Sequence, residues 1–153
     1  MKTKILFTVL LIAVLYACSK DKFETKPTLT FKSVSSTEVP FNGTLNFEFE
    51  VTDKEGDIGD SLYVKKVRTN RRVVPTIRDS FAFRLPDVPK TQKTFVSIDM
   101  AFNNHLLSAI NPPTTGNPPV RENDTLLFKF TLKDKGKNLS DTFTSQQIVI
   151  KRQ

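Results

Sequence analysis

The sequence predicts an all-β protein, with a single antiparallel β-sandwich of about seven strands that follows a cleaved signal peptide. Several short segments alternate apolar and polar residues, which is the period of a half-buried strand. Residues that favour turns, above all glycine, proline, asparagine and aspartate, separate these segments at short intervals. The chain also has 13 phenylalanines and no tryptophan, and phenylalanine at alternating positions favours a β-sheet core.

The alternation is clearest over residues 44–52, where Leu45, Phe47 and Phe49 lie on one face. Residues 124–133 show the same period. Both segments run into an Asp-Lys turn that contains a glycine. The predicted strands are 28–34, 44–52, 61–68, 71–77, 80–85, 94–102, 124–133 and 142–151.

Two of these strands carry signs of irregularity. Lys65 and Lys66 disturb the alternation in the third strand, which predicts a bulge or an exposed edge there. Pro75 limits the segment 71–77 to the edge of a sheet, because proline has no N–H to donate to a neighbouring strand.

Residues 103–123 form the longest irregular segment, with one short helical turn predicted at 106–110. Irregular segments of this length are uncommon in compact domains and often carry function. His105, the single histidine, lies here. The chain contains neither a Gly-x-Ser-x-Gly nor a His-Glu-x-x-His motif. We therefore assign no catalytic residue and predict that the protein is not an enzyme.

The N-terminus has the layout of a secretory signal. Lys2 and Lys4 form a basic region, and an apolar run follows over residues 5–15. This run is shorter than the roughly 20 residues that a membrane-spanning helix needs. Small Ala17 precedes Cys18, the only cysteine. This layout predicts export from the cytoplasm.

The run Leu15-Tyr16-Ala17-Cys18 resembles the lipobox of bacterial lipoproteins. The resemblance implies that residues 1–17 are removed and that Cys18 is lipidated, with palmitate among its acyl chains. Several acyl chains would hold the protein at the membrane, because each buried methylene contributes about 0.8 kcal/mol. The alternative is an uncleaved N-terminal anchor with an incidental cysteine.

The composition fits a single exported domain. Cleavage would leave 136 of the 153 residues, with 21 basic and 16 acidic side chains and a net charge of +5. Nucleic acid is not an expected partner of an exported protein, whereas acidic glycans and anionic lipid head groups are. Lipidation of the only cysteine would leave no thiol for a disulfide or a thiolate metal site. No cofactor is required by any motif, and calcium is the one candidate ion.

An acidic loop over residues 53–60 is the candidate calcium site. Calcium prefers clustered carboxylate and carbonyl oxygens, and glycines allow a loop to fold around the ion. The alternative is a solvated turn in which Gly56 and Gly59 take positive φ angles. The candidate ligands are Asp53, Glu55, Asp57 and Asp60.

A basic stretch follows the acidic loop. It is a candidate binding patch for an anionic glycan, a phosphate or an acidic protein. The alternative is that the charges protect an exposed edge strand against aggregation. The candidate residues are Lys65, Lys66, Arg68, Arg71 and Arg72.

Residues 47–59 and 134–140, which contain the two Asp-Lys turns, resemble segments of small immunoglobulin-like lipoproteins of Bacteroidetes. The resemblance implies an immunoglobulin-like β-sandwich and brings no catalytic residue with it. The implied organisation is a signal peptide at 1–17, a lipidated tether at 18–27 and the β-sandwich domain at 28–153.

The same resemblance predicts location. The segment Ser19-Lys20-Asp21-Lys22-Phe23-Glu24, with charged residues just after the cysteine, is similar to an export signal for the outer cell surface. We therefore expect a lipid-anchored protein of the outer membrane, on the cell surface or otherwise on the periplasmic face.

Three functions remain open at this point. The first is a non-catalytic interaction module of the cell envelope that binds a protein or a glycan. The second is a calcium-stabilised adhesion or assembly subunit. The third is an accessory lipoprotein that captures glycans for a nutrient-uptake system.

Overall fold

The computed structural model describes residues 25–153. The predicted signal peptide, Cys18 and most of the tether lie outside the described residues. Strands dominate the described chain, and a single π-helical turn, Phe102–Leu106, follows the sixth strand. The strands are β1 (Thr28–Val34), β2 (Glu38–Val39), β3 (Thr44–Thr52), β4 (Ser61–Arg68), β5 (Ser80–Arg84), β6 (Lys93–Ala101), β7 (Thr114–Thr115), β8 (Val120–Arg121), β9 (Asp124–Lys133), β10 (Phe143–Thr144) and β11 (Ile148–Ile150).

The strands form two main sheets and a small hairpin. The first sheet has the order β1-β3-β6 and is antiparallel throughout. The second has the order β2-β11-β9-β4-β5, with β10 also paired to β9. Within residues 25–153, strands β7 and β8 pair with each other and with no other strand. The protein is therefore mostly β, with its long strands in antiparallel pairs.

One pair is parallel, so the prediction of a purely antiparallel fold was wrong. After β1 the chain passes to the other sheet, and β2 joins the C-terminal strand β11 in the same direction. Residues Val39 and Ile150 pair there, and both side chains are fully buried. Burial of this apolar pair explains why so short a strand adds to the sheet.

The two sheets share one hydrophobic core. Phe47 and Phe49 of β3 both point into the core from the first sheet, and Phe130 of β9 packs against them from the second. The ring centroids of Phe47 and Phe49 lie 4.8 and 4.9 Å from that of Phe130. All three side chains are fully buried, which accounts for the uninterrupted period of two in both strands.

Strand β4 differs from the prediction of a bulge or an exposed edge that was based on Lys65 and Lys66. It lies between β9 and β5, and its register with β9 runs unbroken from Ser61 to Arg68. Lys66 continues the inward face rather than breaking it, and only 3% of its surface is exposed. The predicted bulge or exposed edge at this point is therefore wrong. The irregularity that does occur lies in β1, between Phe31 and Ser33.

The segment predicted as a strand at 71–77 is also corrected. It is irregular and makes a single isolated bridge, between Thr76 and Ala109. Two physical reasons account for this difference. Val73 is 96% exposed and so gains nothing from burial, and Pro75 cannot donate to a ladder.

Two further boundaries differ from the prediction. The last predicted strand is divided into β10 and β11. Between them, the backbone N–H of Phe128 donates to Oγ of Ser145 at 2.9 Å. The helical turn lies at Phe102–Leu106 rather than at 106–110, and the β7–β8 hairpin occupies part of the long segment that follows. Among the described residues, no helix has both the length and the apolar character that crossing a membrane requires.

Candidate metal centre

Three loops meet at one end of the molecule. Asp53 directly follows β3 of the first sheet, and Asp134 directly follows β9 of the second. The turn at 86–92 completes the group. The N–H of Lys135 donates to the carbonyl of Asp57 at 3.1 Å, and the N–H of Asp53 donates to the carbonyl of Gln92 at 2.9 Å. Backbone hydrogen bonds therefore hold the three loops together.

Three carboxylates converge within this loop group. Asp53, Asp57 and Asp134 each offer one oxygen, and these oxygens lie within 4.8 Å of one another. Asp134 is fully buried, Asp53 is 3% exposed and Asp57 is half-buried. Calcium binds oxygens at about 2.3–2.6 Å, so ligands on opposite sides of the ion lie about 5 Å apart. The spacing of the three oxygens is therefore compatible with one calcium shell. We call these three residues the acidic cluster.

The hydrogen bonds of the acidic cluster leave two oxygens without a partner. Oδ1 of Asp53 accepts from the N–H of Glu55 at 2.9 Å. Both oxygens of Asp134 accept from Asn138, through its backbone N–H at 2.8 Å and its amide at 3.0 Å. Oδ2 of Asp53 and Oδ1 of Asp57 are buried and accept from no group of residues 25–153. Buried carboxylate oxygens without donors are costly unless a cation or water satisfies them.

The charges of the acidic cluster also favour a bound cation. Burial, together with the neighbouring Asp57 and then Asp134, raises the pKa of Asp53 to about 6. The backbone N–H of Glu55 lowers this pKa, but by less than the other effects raise it. The site therefore holds more negative charge than its own donors stabilise, which is the condition that a bound cation relieves.

Gly136 keeps the acidic cluster open on one side. A Cβ atom at this position would lie 2.9 Å from Oδ2 of Asp57 and 3.3 Å from Oδ1 of Asp134. Real Cβ atoms rarely approach another heavy atom that closely, so any larger residue would displace the Asp57 carboxylate. Glycine at this position therefore leaves room for the Asp57 carboxylate in the acidic cluster.

The predicted ligand set is only partly brought together. Asp53 and Asp57 lie in the acidic cluster, whereas Asp60 pairs with Lys133 at 3.1 Å and Glu55 contributes its N–H to Asp53. Asp134 was not predicted as a ligand. The signal that could have identified it is the matching Asp-Lys turn after β3 and after β9, which places an aspartate at the end of each central strand.

An apolar cleft adjoins the acidic loop. It lies between β5 and β6, each the outermost strand of its sheet, and Phe83, Leu85 and Val96 contribute to its lining. Ile58 and Gly59 of the acidic loop form part of the same wall. An ion held by Asp57 would therefore also fix the neighbouring wall of this cleft.

The predicted basic patch is divided between the interior and the surface. Lys66 is buried, and its ammonium donates to the carbonyl of Leu107 at 2.5 Å. The Arg68 side chain is 5% exposed and forms ion pairs with buried Asp124 and with Glu122. Lys65 is exposed on β4, and Arg71 and Arg72 are exposed in the following loop. The five residues therefore do not form one continuous surface.

Asp124 is the centre of a buried polar network. Its Oδ1 accepts from Nε of Arg68 at 2.9 Å, and its Oδ2 accepts from Arg152 at 2.5 Å. The backbone N–H groups of Ser108 and Ala109 donate to the same carboxylate at 3.1 and 3.3 Å. The network joins β4, β9, the long segment and the C-terminal residues.

His105 lies in the π-helical turn, where it makes a backbone hydrogen bond and packs against two phenylalanine rings. Its Nδ1 accepts from the N–H of Ala101 at 3.0 Å, and its ring contacts those of Phe81 and Phe83 at centroid distances of 5.1 Å. Burial first, and then the charges of Lys66 and Arg78, lower its pKa below the ordinary value. A neutral imidazole that accepts this hydrogen bond is consistent with those surroundings.

Comparison with solved structures gives a distant likeness in part of a larger protein. No family model and no curated protein matches the chain. The chain is similar to part of a solved structure, the crystal structure of beta-glucosidase from Listeria innocua in complex with gluconolactone, at 12% identity and a TM-score of 0.41. The match covers 82% of this chain and 16% of that one, so this chain spans about a sixth of the enzyme's length. The likeness is between a small β-rich domain and one region of a larger protein.

Proposed function

We propose that the protein is a non-catalytic binding module of the bacterial cell envelope whose β domain is stabilised by calcium. The observation that carries this proposal is the acidic cluster, in which Asp53 and Asp57 present buried oxygens without donors. Three carboxylates from the loops after β3 and β9 supply hard oxygen ligands, and backbone carbonyls and water would complete a shell of six to eight. In the proposed role the ion fastens the loops and is not consumed in a reaction.

The envelope location and the lipid anchor are part of the same proposal. They are supported by the basic and apolar N-terminus and by Cys18 in its lipobox-like sequence. We propose an outer-membrane lipoprotein, on the cell surface or otherwise on the periplasmic face. An immunoglobulin-like sandwich is the proposed fold, supported by the two sheets with their shared phenylalanine core.

The position of the acidic cluster suits an anchored domain. Thr28, where β1 begins, pairs with Thr52, the residue before Asp53. The acidic cluster therefore lies at the end of the domain where the chain enters from the proposed tether. A calcium ion there would fasten the domain close to its point of attachment.

The experiment has two measurements on the purified protein. A calcium titration is monitored by calorimetry, and thermal unfolding is compared in calcium and in chelator. We expect one ion to bind and the melting temperature to rise by several degrees, because a ligand that binds only the folded state stabilises it by mass action. Asp57→Asn should remove both effects. Asp141→Asn should keep them, since this carboxylate is 94% exposed and lies outside the acidic cluster. No binding and no shift in the wild-type protein would contradict the calcium part of the proposal.

A further inference from the structure

The outer face of the second sheet carries an unusual group of side chains. Across β5, β4 and β9, Lys65 stands between Ser80 and Lys129 in one row of register. Two residues earlier in β4, Tyr63 stands between Ala82 and Thr131. Paired residues of an antiparallel sheet share a face, and side chains two residues apart in a strand do too, so both rows point to the same side. Lys65, Lys129 and Tyr63 are exposed there, and we call this surface the lysine–tyrosine face.

The two lysines of this face repel each other. Like charges that stand directly opposite in neighbouring strands are destabilising. Among residues 25–153, neither Lys65 nor Lys129 has an acidic partner within 4 Å. On the first sheet the arrangement is different, because Lys32 and Lys93 both pair with Glu50 at 2.8 and 3.0 Å. The second sheet therefore leaves positive charge free for a ligand.

Tyr63 supplies a ring beside these charges. Its cross-strand neighbours Ala82 and Thr131 are small, and 42% of the tyrosine is exposed. The hydroxyls of Thr131 and Thr142 lie 2.9 Å apart on the same surface and share a hydrogen bond. All these residues line one shallow groove with Lys65 and Lys129. An exposed aromatic ring, hydroxyls and ammonium groups are thus combined in a single shallow groove.

We propose that the lysine–tyrosine face binds an anionic polysaccharide. The two ammonium groups would donate to carboxylate or sulfate groups on the chain. The tyrosine ring would pack against the apolar face of a sugar ring, and the threonine hydroxyls would form hydrogen bonds with its hydroxyls. Charge complementarity selects an anionic partner over a neutral one. A protein partner is less well matched, because interface centres are built on several large anchors and this groove exposes one aromatic ring.

This inference goes beyond the proposed calcium function and does not depend on it. None of the residues of the acidic cluster lines the groove. Binding is therefore measured in chelator, so that calcium cannot bridge the protein to the polysaccharide. Failure to bind calcium would leave polysaccharide binding unaffected, and failure to bind the polysaccharide would leave calcium binding unaffected.

The experiment measures affinity of the purified protein for heparin and polygalacturonate at low ionic strength. Dextran serves as the neutral polysaccharide, poly-L-glutamate as the acidic polypeptide, and phosphatidylglycerol vesicles as the anionic lipid. We expect both anionic polysaccharides to bind more tightly than the other three probes. The double variant K65Q/K129Q should lose at least about tenfold in affinity, because two charge-assisted hydrogen bonds are removed. The matched control K32Q/K93Q has the same charge change on the other sheet and should lose less than about twofold.

Tyr63 separates this proposal from general attraction between charges. Tyr63→Ser should weaken binding of the anionic polysaccharides, whereas Tyr63→Phe keeps the ring and should preserve it. Circular dichroism of each variant verifies the fold. Equal binding of poly-L-glutamate with no effect of Tyr63→Ser would overturn the proposal, as would preferential binding of the vesicles. Unchanged affinity in K65Q/K129Q, or no binding to either anionic polysaccharide, would overturn it as well.

Discussion

Arg68 donates from Nε to Oδ1 of Asp124 at 2.9 Å, and the carboxylate that accepts this bond is completely buried. Arg152 and two backbone N–H groups donate to the same side chain. A buried charge of this kind is tolerated only when its partners satisfy it fully. Asp124 therefore fixes the C-terminal residues and the long segment against the second sheet.

Asp124→Asn should destabilise the protein strongly. The change would leave Arg152 buried without a negative partner and Arg68 with only the partly exposed Glu122. Breaking a buried pair in this way costs about 3–5 kcal/mol. Urea unfolding measures the loss. Glu122→Gln is the control, because this carboxylate pairs with the same Arg68 but is partly exposed, and its loss should cost under about 1 kcal/mol. Equal stabilities for the two variants would contradict the role given to Asp124.

The ligand set of the acidic cluster can be tested by two changes of equal charge. Asp134→Asn should abolish calcium binding, because Asp134 contributes one of the three converging oxygens. Glu55→Gln should leave binding within about twofold of the wild-type value, since the part of Glu55 that reaches the cluster is its backbone N–H. Calcium calorimetry on both variants provides the measurement. The opposite pattern would favour the ligands predicted from the sequence over those that the structure brings together.

Gly136→Ala tests the space around the acidic cluster. The added methyl group would lie 2.9 Å from Oδ2 of Asp57, so the carboxylate has to move. Gly136 is not among the residues with positive φ, so alanine adds no strain of that kind to the backbone. We expect calcium affinity to fall by at least about tenfold. The melting temperature in chelator should change much less than the melting temperature in calcium. Unchanged affinity would place the ion elsewhere.

The long strands could be predicted from the sequence because each has one buried and one exposed face. The predicted bounds of β3, β4 and β9 agree with the structure. The period of two does not report which strand lies alongside, so the parallel pairing of β2 with β11 was missed. Lys66 was misread for a related reason. Its charge concealed that it continues the inward positions of Leu62 and Val64, where the Leu107 carbonyl accepts from it.

The acidic cluster was predictable only in part. Asp53 and Asp57 are close along the chain, so a local spacing argument found them. Asp134 reaches the same point from the other sheet, and local spacing carries no information about that approach. The lysine–tyrosine face was hidden in the same way, since Lys65 and Lys129 become neighbours only through the pairing of β4 with β9.

The raised pKa of Asp53 predicts an unusual pH dependence in chelator. Because the folded pKa, about 6, lies above the value of 3.8 for an unperturbed aspartate, the folded state binds this proton more tightly. The stability that this proton contributes is full below the unfolded pKa and is lost as the pH rises through about 6. Relative to Asp53→Asn, the wild-type protein should therefore become less stable between about pH 4 and about pH 7. Saturating calcium should reverse the trend, because the ion favours the ionised carboxylate. A stability difference between the wild-type protein and Asp53→Asn that stays constant with pH in chelator would contradict a raised pKa at Asp53.

Lys66 predicts the opposite slope at higher pH. Burial lowers its pKa to about 8, against an unperturbed value of 10.5, although nearby Asp79 and Asp124 partly offset the effect. The unfolded state therefore binds more protons than the folded state between these values, so the stability contributed by this lysine rises with pH. Relative to Lys66→Met, the wild-type protein should gain stability between about pH 7 and about pH 10 in urea unfolding. Lys65→Met is the matched control, because it removes an exposed lysine from the same strand. If the stability of the wild-type protein changed with pH by the same amount relative to both variants, burial of the Lys66 ammonium would not be the cause of the pH dependence.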